Sequence, residues 1–125
     1  MFGTLVAAAA LTVFIGVVHS WLGEVKLIGP LLAPENRAGL LKSGFARGVL
    51  RFAWHLTTLA WWGLAAIVAA IAFWPLEPAG RCALAIIAAV FFLHGAIVLW
   101  AGRGRHHAWI VFFAIAALAA SPLFS

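Results

Sequence analysis

The chain has 125 residues, 66% of them hydrophobic and 9% charged, with a formal net charge of +5. A soluble domain of this size carries about 25% charged residues, because a small globule needs a polar skin over its core. The composition therefore excludes an ordinary soluble domain and points to a single integral membrane domain over residues 1–125, all-α and built as a four-helix transmembrane bundle. Nucleic acid is not an expected partner, since the basic residues sit in short connections between apolar runs, where topology and anionic headgroups account for them.

About 20 residues of helix cross roughly 30 Å of hydrocarbon. The first run, Phe2 to Leu22, lacks a basic leading region and is too long for a signal-peptide core, so it reads as a retained span. Within it Thr12, Gly16, His19 and Gly23 recur at helical spacing as a stripe of small and polar residues. Ser20 stands beside His19, but adjacent helical residues point apart, so the two do not make a nucleophile and base.

The connection from Glu24 to Gly48 is the longest. Gly29-Pro30 and Pro34 argue against a continuous helix through it. Leu27 to Leu32 is expected to lie in the interface, and Asn36 to Val49 to form a short interfacial helix leading into the second span.

That span covers residues 49–74, with Arg51, His55, Thr58 and Trp62 on one face and Gly63, Ala66 and Ala70 as a small-residue packing face. A proline-rich turn, Pro75 to Gly80, leads to the third span at 81–101. Its one cysteine, Cys82, excludes an internal disulfide and reads as a small packing residue. The basic turn Gly102 to Arg105 precedes a fourth, short span at 107–124, with Ala114, Ala117 and Ala120 as its small face. Lipid admits only elements that satisfy their own backbone groups, and these runs do not alternate as barrel strands do, so helices follow.

The first and third connections, counting Arg51, hold seven Lys/Arg, whereas the second has Arg81 beside Glu77. By the positive-inside rule both basic connections face the cytoplasm and both termini face outward, as in a bacterial inner membrane protein. Trp21, Trp54, Trp100 and Trp109 then fall in an inner aromatic belt, and Trp74 in an outer one.

This orientation gathers the five histidines in one half of the bilayer. His19, His55 and His94 lie roughly 5, 6–9 and 10 Å from the inner ends of their spans at 1.5 Å per residue, and His106 and His107 open the fourth. Ionisable groups inside a span cost free energy unless paired or functional. Neutral imidazole binds transition metals, and ligands on separate helices commonly build a cofactor site in a bundle. The expected function is thus a transition-metal or haem b site for electron transfer or oxidoreduction. His19, Glu24, His55, His94 and His107 are candidate ligands, and Arg51 and Arg103 candidate partners of haem propionates.

Two alternatives stay open: a small-solute or ion transporter with proton-linked histidines, and a noncatalytic subunit of a larger membrane complex. Expected partners are the bilayer, anionic lipids at the basic connections, and further copies of the chain or a larger complex. His106 and His107 beside Arg105 also fit simple headgroup contacts.

Overall fold

The computed structural model describes residues 1–124; the last residue of the expected domain, at position 125, lies outside them. Among the described residues there is no strand. Helix α1 (Phe2–Gly23) continues through a π-helical turn (Glu24–Ile28) and a last α-turn (Gly29–Leu31). After it come α2 (Gly44–Ala72), α3 (Pro78–Ala101) and α4 (Ala108–Ala120), the last closed by a 3-10 turn (Ser121–Leu123). Three helices, Phe2–Leu31, Gly44–Ala72 and Pro78–Ala101, are long and apolar enough to cross a membrane, and Ala108–Leu123 is a shorter apolar helix.

No continuous helix runs through the first connection, as expected, but the break falls at Ala33-Pro34 and Gly29-Pro30 does not stop α1. The Gly29 N–H bonds back to the Glu24 carbonyl, five residues away, and this wider turn carries the helix over a proline that would clash in regular α geometry. The turn depends on glycine, because a β-carbon at Gly29 would stand 2.7 Å from the Glu24 carbonyl oxygen. Nor does Asn36 to Val49 form a helix of its own. It makes 3-10 turns at Pro34–Asn36 and Gly39–Lys42, then Ser43 accepts the Ala46 N–H and caps a helix running straight into the second span. At the other turn Glu77 precedes Pro78, which occupies the first helical position, where its missing N–H costs nothing.

Helix α1 packs along α2 on one side and α4 on the other, and α4 packs on α3. The core runs through all four: Leu5, Ala8 and Ile15 from α1, Trp61, Ala65 and Val68 from α2, Leu84, Ile87 and Phe91 from α3, and Phe112, Ile115 and Ala119 from α4. Arg81, at the start of α3, donates to the carbonyls of Pro122 and Leu123 and so ties down the end of α4.

The outer surface is apolar. Phe14, Trp21, Phe52, Leu59, Phe92, Ile97 and Trp100 are all exposed, the inverse of a soluble fold and the surface that lipid selects. Cys82 is exposed as well, so it is not the packing residue its size suggests. The expected small-residue faces are also displaced: Gly63, Ala66, Ala70 and Ala117 point outward, and α2 and α4 bury other positions instead, among them Trp61, Ala65 and Val68 on α2 and Phe112, Ile115 and Ala119 on α4. Close approach occurs on α1. A β-carbon at Gly16 would stand 2.6 Å from Trp62 Nε1, and one at Gly23 would overlap the Trp54 indole.

Candidate functional site

The face Arg51–His55–Thr58–Trp62 meets α1 at every position. Arg51 Nη2 lies 2.9 Å from Glu24 Oε1, and His55 Nε2 lies 3.2 Å from Glu24 Oε2. His55 Nδ1 is 2.9 Å from Ser20 Oγ, Ser20 Oγ is 2.8 Å from Thr58 Oγ1, and Thr58 donates to the Gly16 carbonyl at 3.2 Å. Trp62 donates its indole N–H to the Val13 carbonyl. Helical spacing on both helices brings these partners together: residues 16, 20 and 24 repeat every four on α1, as 51, 55 and about 58 do on α2.

Ser20, His55 and Glu24 have the composition of a nucleophile, base and orienting acid. The hydrogen of Thr58 goes to a carbonyl, which only accepts, so the hydroxyl hydrogen of Ser20 is left for Thr58. Ser20 therefore donates away from His55 and is not activated by it.

On the other side of the same contact lies a cavity of about 540 Å³ lined by His19, His94, His106 and Lys26, with walls from Trp54, Trp61 and Phe112. Its size is that of an ordinary small-ligand site, about 300–1,000 Å³. His19 lies flat on Trp54, with ring centroids 4.3 Å apart and planes 10° from parallel. The pair is latched twice: His19 Nε2 donates to the Trp54 carbonyl at 3.3 Å, and Trp54 Nε1 donates to the His19 carbonyl at 3.2 Å. Trp61 stands edge-on to two of the three cavity imidazoles, 4.9 Å from His19 and 5.8 Å from His94. His94 Nδ1 donates to the Val90 carbonyl at 2.8 Å.

These hydrogen bonds settle where the lone pairs lie in the neutral rings. A carbonyl accepts only, so the N–H sits on Nε2 of His19 and Nδ1 of His94. The remaining nitrogen of each ring, Nδ1 of His19 and Nε2 of His94, has no protein partner among the described residues.

Of the expected ligands, His19 and His94 share the cavity, while Glu24 and His55 pair with each other on the opposite side of the α1–α2 contact. His107 stands at the start of α4 without a side-chain capping bond, and its neighbour His106 lines the cavity. Arg51 is held by Glu24, and Arg103 lies in the α3–α4 turn outside the lining set. Among the described residues no group of three or more His, Cys, Asp or Glu side chains stands close enough together to hold a metal ion.

Sequence reasoning missed Lys26 and Trp61, placed Trp54 in an interfacial belt, and considered Ser20 only as a nucleophile. The signal present was the seven-residue spacing of Trp54 and Trp61, two turns apart on one face of α2. Comparison with known protein families, curated proteins and solved structures finds no match.

Proposed function

We propose that this chain is a membrane electron-transfer protein, a four-helix transmembrane bundle that holds haem b in the imidazole-lined cavity. The observation that carries the reading is the state of two rings. His19 and His94 line one apolar space, and each commits its N–H to a backbone carbonyl, leaving the other nitrogen without a protein partner. Metal-bound histidines have this pattern, with the second N–H fixing tautomer and orientation.

The donor set favours haem over a bare ion. A naked transition metal needs three or four side chains, and no such group gathers among the described residues. A porphyrin brings four nitrogens of its own, so one or two imidazoles suffice. His94 and His19 would hold the haem through their free ring nitrogens, with the indole and phenyl walls of Trp54, Trp61 and Phe112 around it. Lys26 suits a propionate better than Arg51, which Glu24 already holds. Bound haem would supply one-electron chemistry at iron, and the chain would hold it, orient it and keep water away.

The cavity lies toward the end where α1 runs into the first connection and α3 into the third. With seven Lys/Arg there, that end faces the cytoplasm of a bacterial inner membrane, and both termini face out. The short fourth helix, about 24 Å at 1.5 Å per residue, crosses with its ends near the headgroups. The surrounding partners are lipid, anionic at the basic connections, and a redox partner or larger membrane complex.

The test is an absorption spectrum with metal analysis on detergent-purified protein from cells fed a haem precursor. A Soret band at one haem per chain, lost in a folded His94→Ala variant, is expected. Colourless, metal-free, folded protein would refute the reading, and proton-linked solute flux in liposomes from such protein would assign it to transport.

A further inference from the structure

With Glu24 as the carboxylate that pairs with Arg51, the polar chain between α1 and α2 contains more hydrogen bonds than a neutral His55 and the two hydroxyls have hydrogens to make. Four contacts run in series: Glu24 to His55, His55 to Ser20, Ser20 to Thr58, and Thr58 to the Gly16 carbonyl. Each needs one hydrogen. Glu24 accepts from Arg51 on one oxygen and, as the carboxylate of that ion pair, accepts from His55 on the other. A neutral imidazole and two hydroxyls then supply three hydrogens for four bonds. Working back from Gly16, Thr58 donates to the carbonyl, Ser20 to Thr58, His55 Nδ1 to Ser20, and His55 Nε2 to Glu24. Both ring nitrogens of His55 must be donors.

We infer that Glu24, His55, Ser20 and Thr58 form a proton-binding site that holds His55 as an imidazolium. With Glu24 as the carboxylate of its Arg51 ion pair, the hydrogen-bond pattern calls for that state, and the carboxylate is its counter-charge. Charged and titratable groups around the ring are Glu24 from the π-turn of α1, Arg51 one turn earlier on α2, and His19 on the cavity side of α1. Arg51 sits on the far oxygen of Glu24, so the carboxylate lies between the two cations. The His55 side chain is 38% exposed, which leaves a route for proton exchange with the interface.

The site also touches the cavity through the backbone. Ser20 follows His19 and His55 follows Trp54, so the proton site and the His19–Trp54 stack are two sides of one helix contact. Loss of the proton removes one bond of the series and the ion pair to Glu24, and so loosens that contact. The inference stands apart from the haem reading and is tested on ligand-free protein.

The experiment is 15N NMR of the full chain in lipid nanodiscs with 15N-labelled histidine, the His55 signals assigned by His55→Gln. At pH 7 both His55 nitrogens should report as N–H. In Thr58→Val or Ser20→Ala one hydroxyl and two bonds of the series are gone, so a neutral imidazole and the remaining hydroxyl supply the two hydrogens still needed, and the neutral Nε2–H form should dominate at the same pH. Either variant suffices if the other fails to fold. A neutral His55 in the wild-type protein would overturn the inference. An unchanged imidazolium in a folded variant would overturn it too, because the carboxylate alone would then explain the charge.

Discussion

Replacing Gly23 by alanine tests the α1–α2 contact that builds the cavity wall. An added β-carbon overlaps the Trp54 indole, whose Nε1 bonds the His19 carbonyl and whose face stacks on the His19 ring. Forcing a methyl into a packed contact costs about 1–3 kcal/mol. Losing the indole hydrogen bond adds about 1 kcal/mol. Alanine's better helix propensity returns about 1 kcal/mol, so the net destabilisation should be about 1–3 kcal/mol. Gly63→Ala is the matched control: it is exposed, a β-carbon there meets nothing within 4 Å, and only the propensity gain remains. Unfolding in mixed micelles with rising SDS, followed by circular dichroism, measures both variants on one scale. If Gly23→Ala proves as stable as Gly63→Ala, the close packing of Trp54 on α1 is wrong.

Other substitutions probe separate parts of the fold. Gly29→Ala puts a methyl against the Glu24 carbonyl and should break the π-turn, weakening Glu24's hold on Arg51 and His55; a lost His55–Glu24 contact by NMR would report it. Gly95→Ala brings a β-carbon within 2.7 Å of the Phe113 ring and should destabilise the α3–α4 pair by about 1–3 kcal/mol in the same SDS titration. Arg51→Gln removes an ion pair whose arginine is 51% exposed, so its effect on stability should stay under about 1 kcal/mol; a larger loss would show that the arginine carries more of the latch than its exposure allows.

The polar half of the architecture was legible in the sequence, and the apolar half was not. Arg51, His55, Thr58 and Trp62 each need a partner inside a bilayer, so their three- and four-residue spacing identifies the face that meets α1. The stripe of Thr12, Gly16, His19 and Gly23 marks the matching face of α1, all of it turned inward. Apolar residues carry no such signal, because lipid accepts leucine or alanine on any side of a helix. Hence Gly63, Ala66 and Ala70 suggested an interface and instead point outward, while Ala65 and Val68, unremarkable by type, are buried.

Tryptophan is ambiguous for a related reason. An interfacial belt and a cavity wall use the same side chain, and Trp54 belongs to the wall whereas Trp21 and Trp100 are exposed. The path through Gly29-Pro30 was hidden because proline rules describe the regular α-helix, and one wider turn escapes them. Lys26 reaches the cavity only because that turn prolongs α1 past Gly23. Which of two adjacent histidines faces inward, His106 or His107, depends on the turn before α4, which neither periodicity nor charge specifies.

Adding haemin in measured steps to purified, cofactor-free protein in nanodiscs bears most directly on the cavity. The spectrum should saturate at one equivalent with the sharp visible bands of bis-imidazole iron, and both His19→Ala and His94→Ala should abolish them, while His107→Ala leaves them intact. Saturation that is indifferent to residues 19 and 94, or no spectral change at all in folded protein, would contradict an imidazole-ligated haem in this cavity.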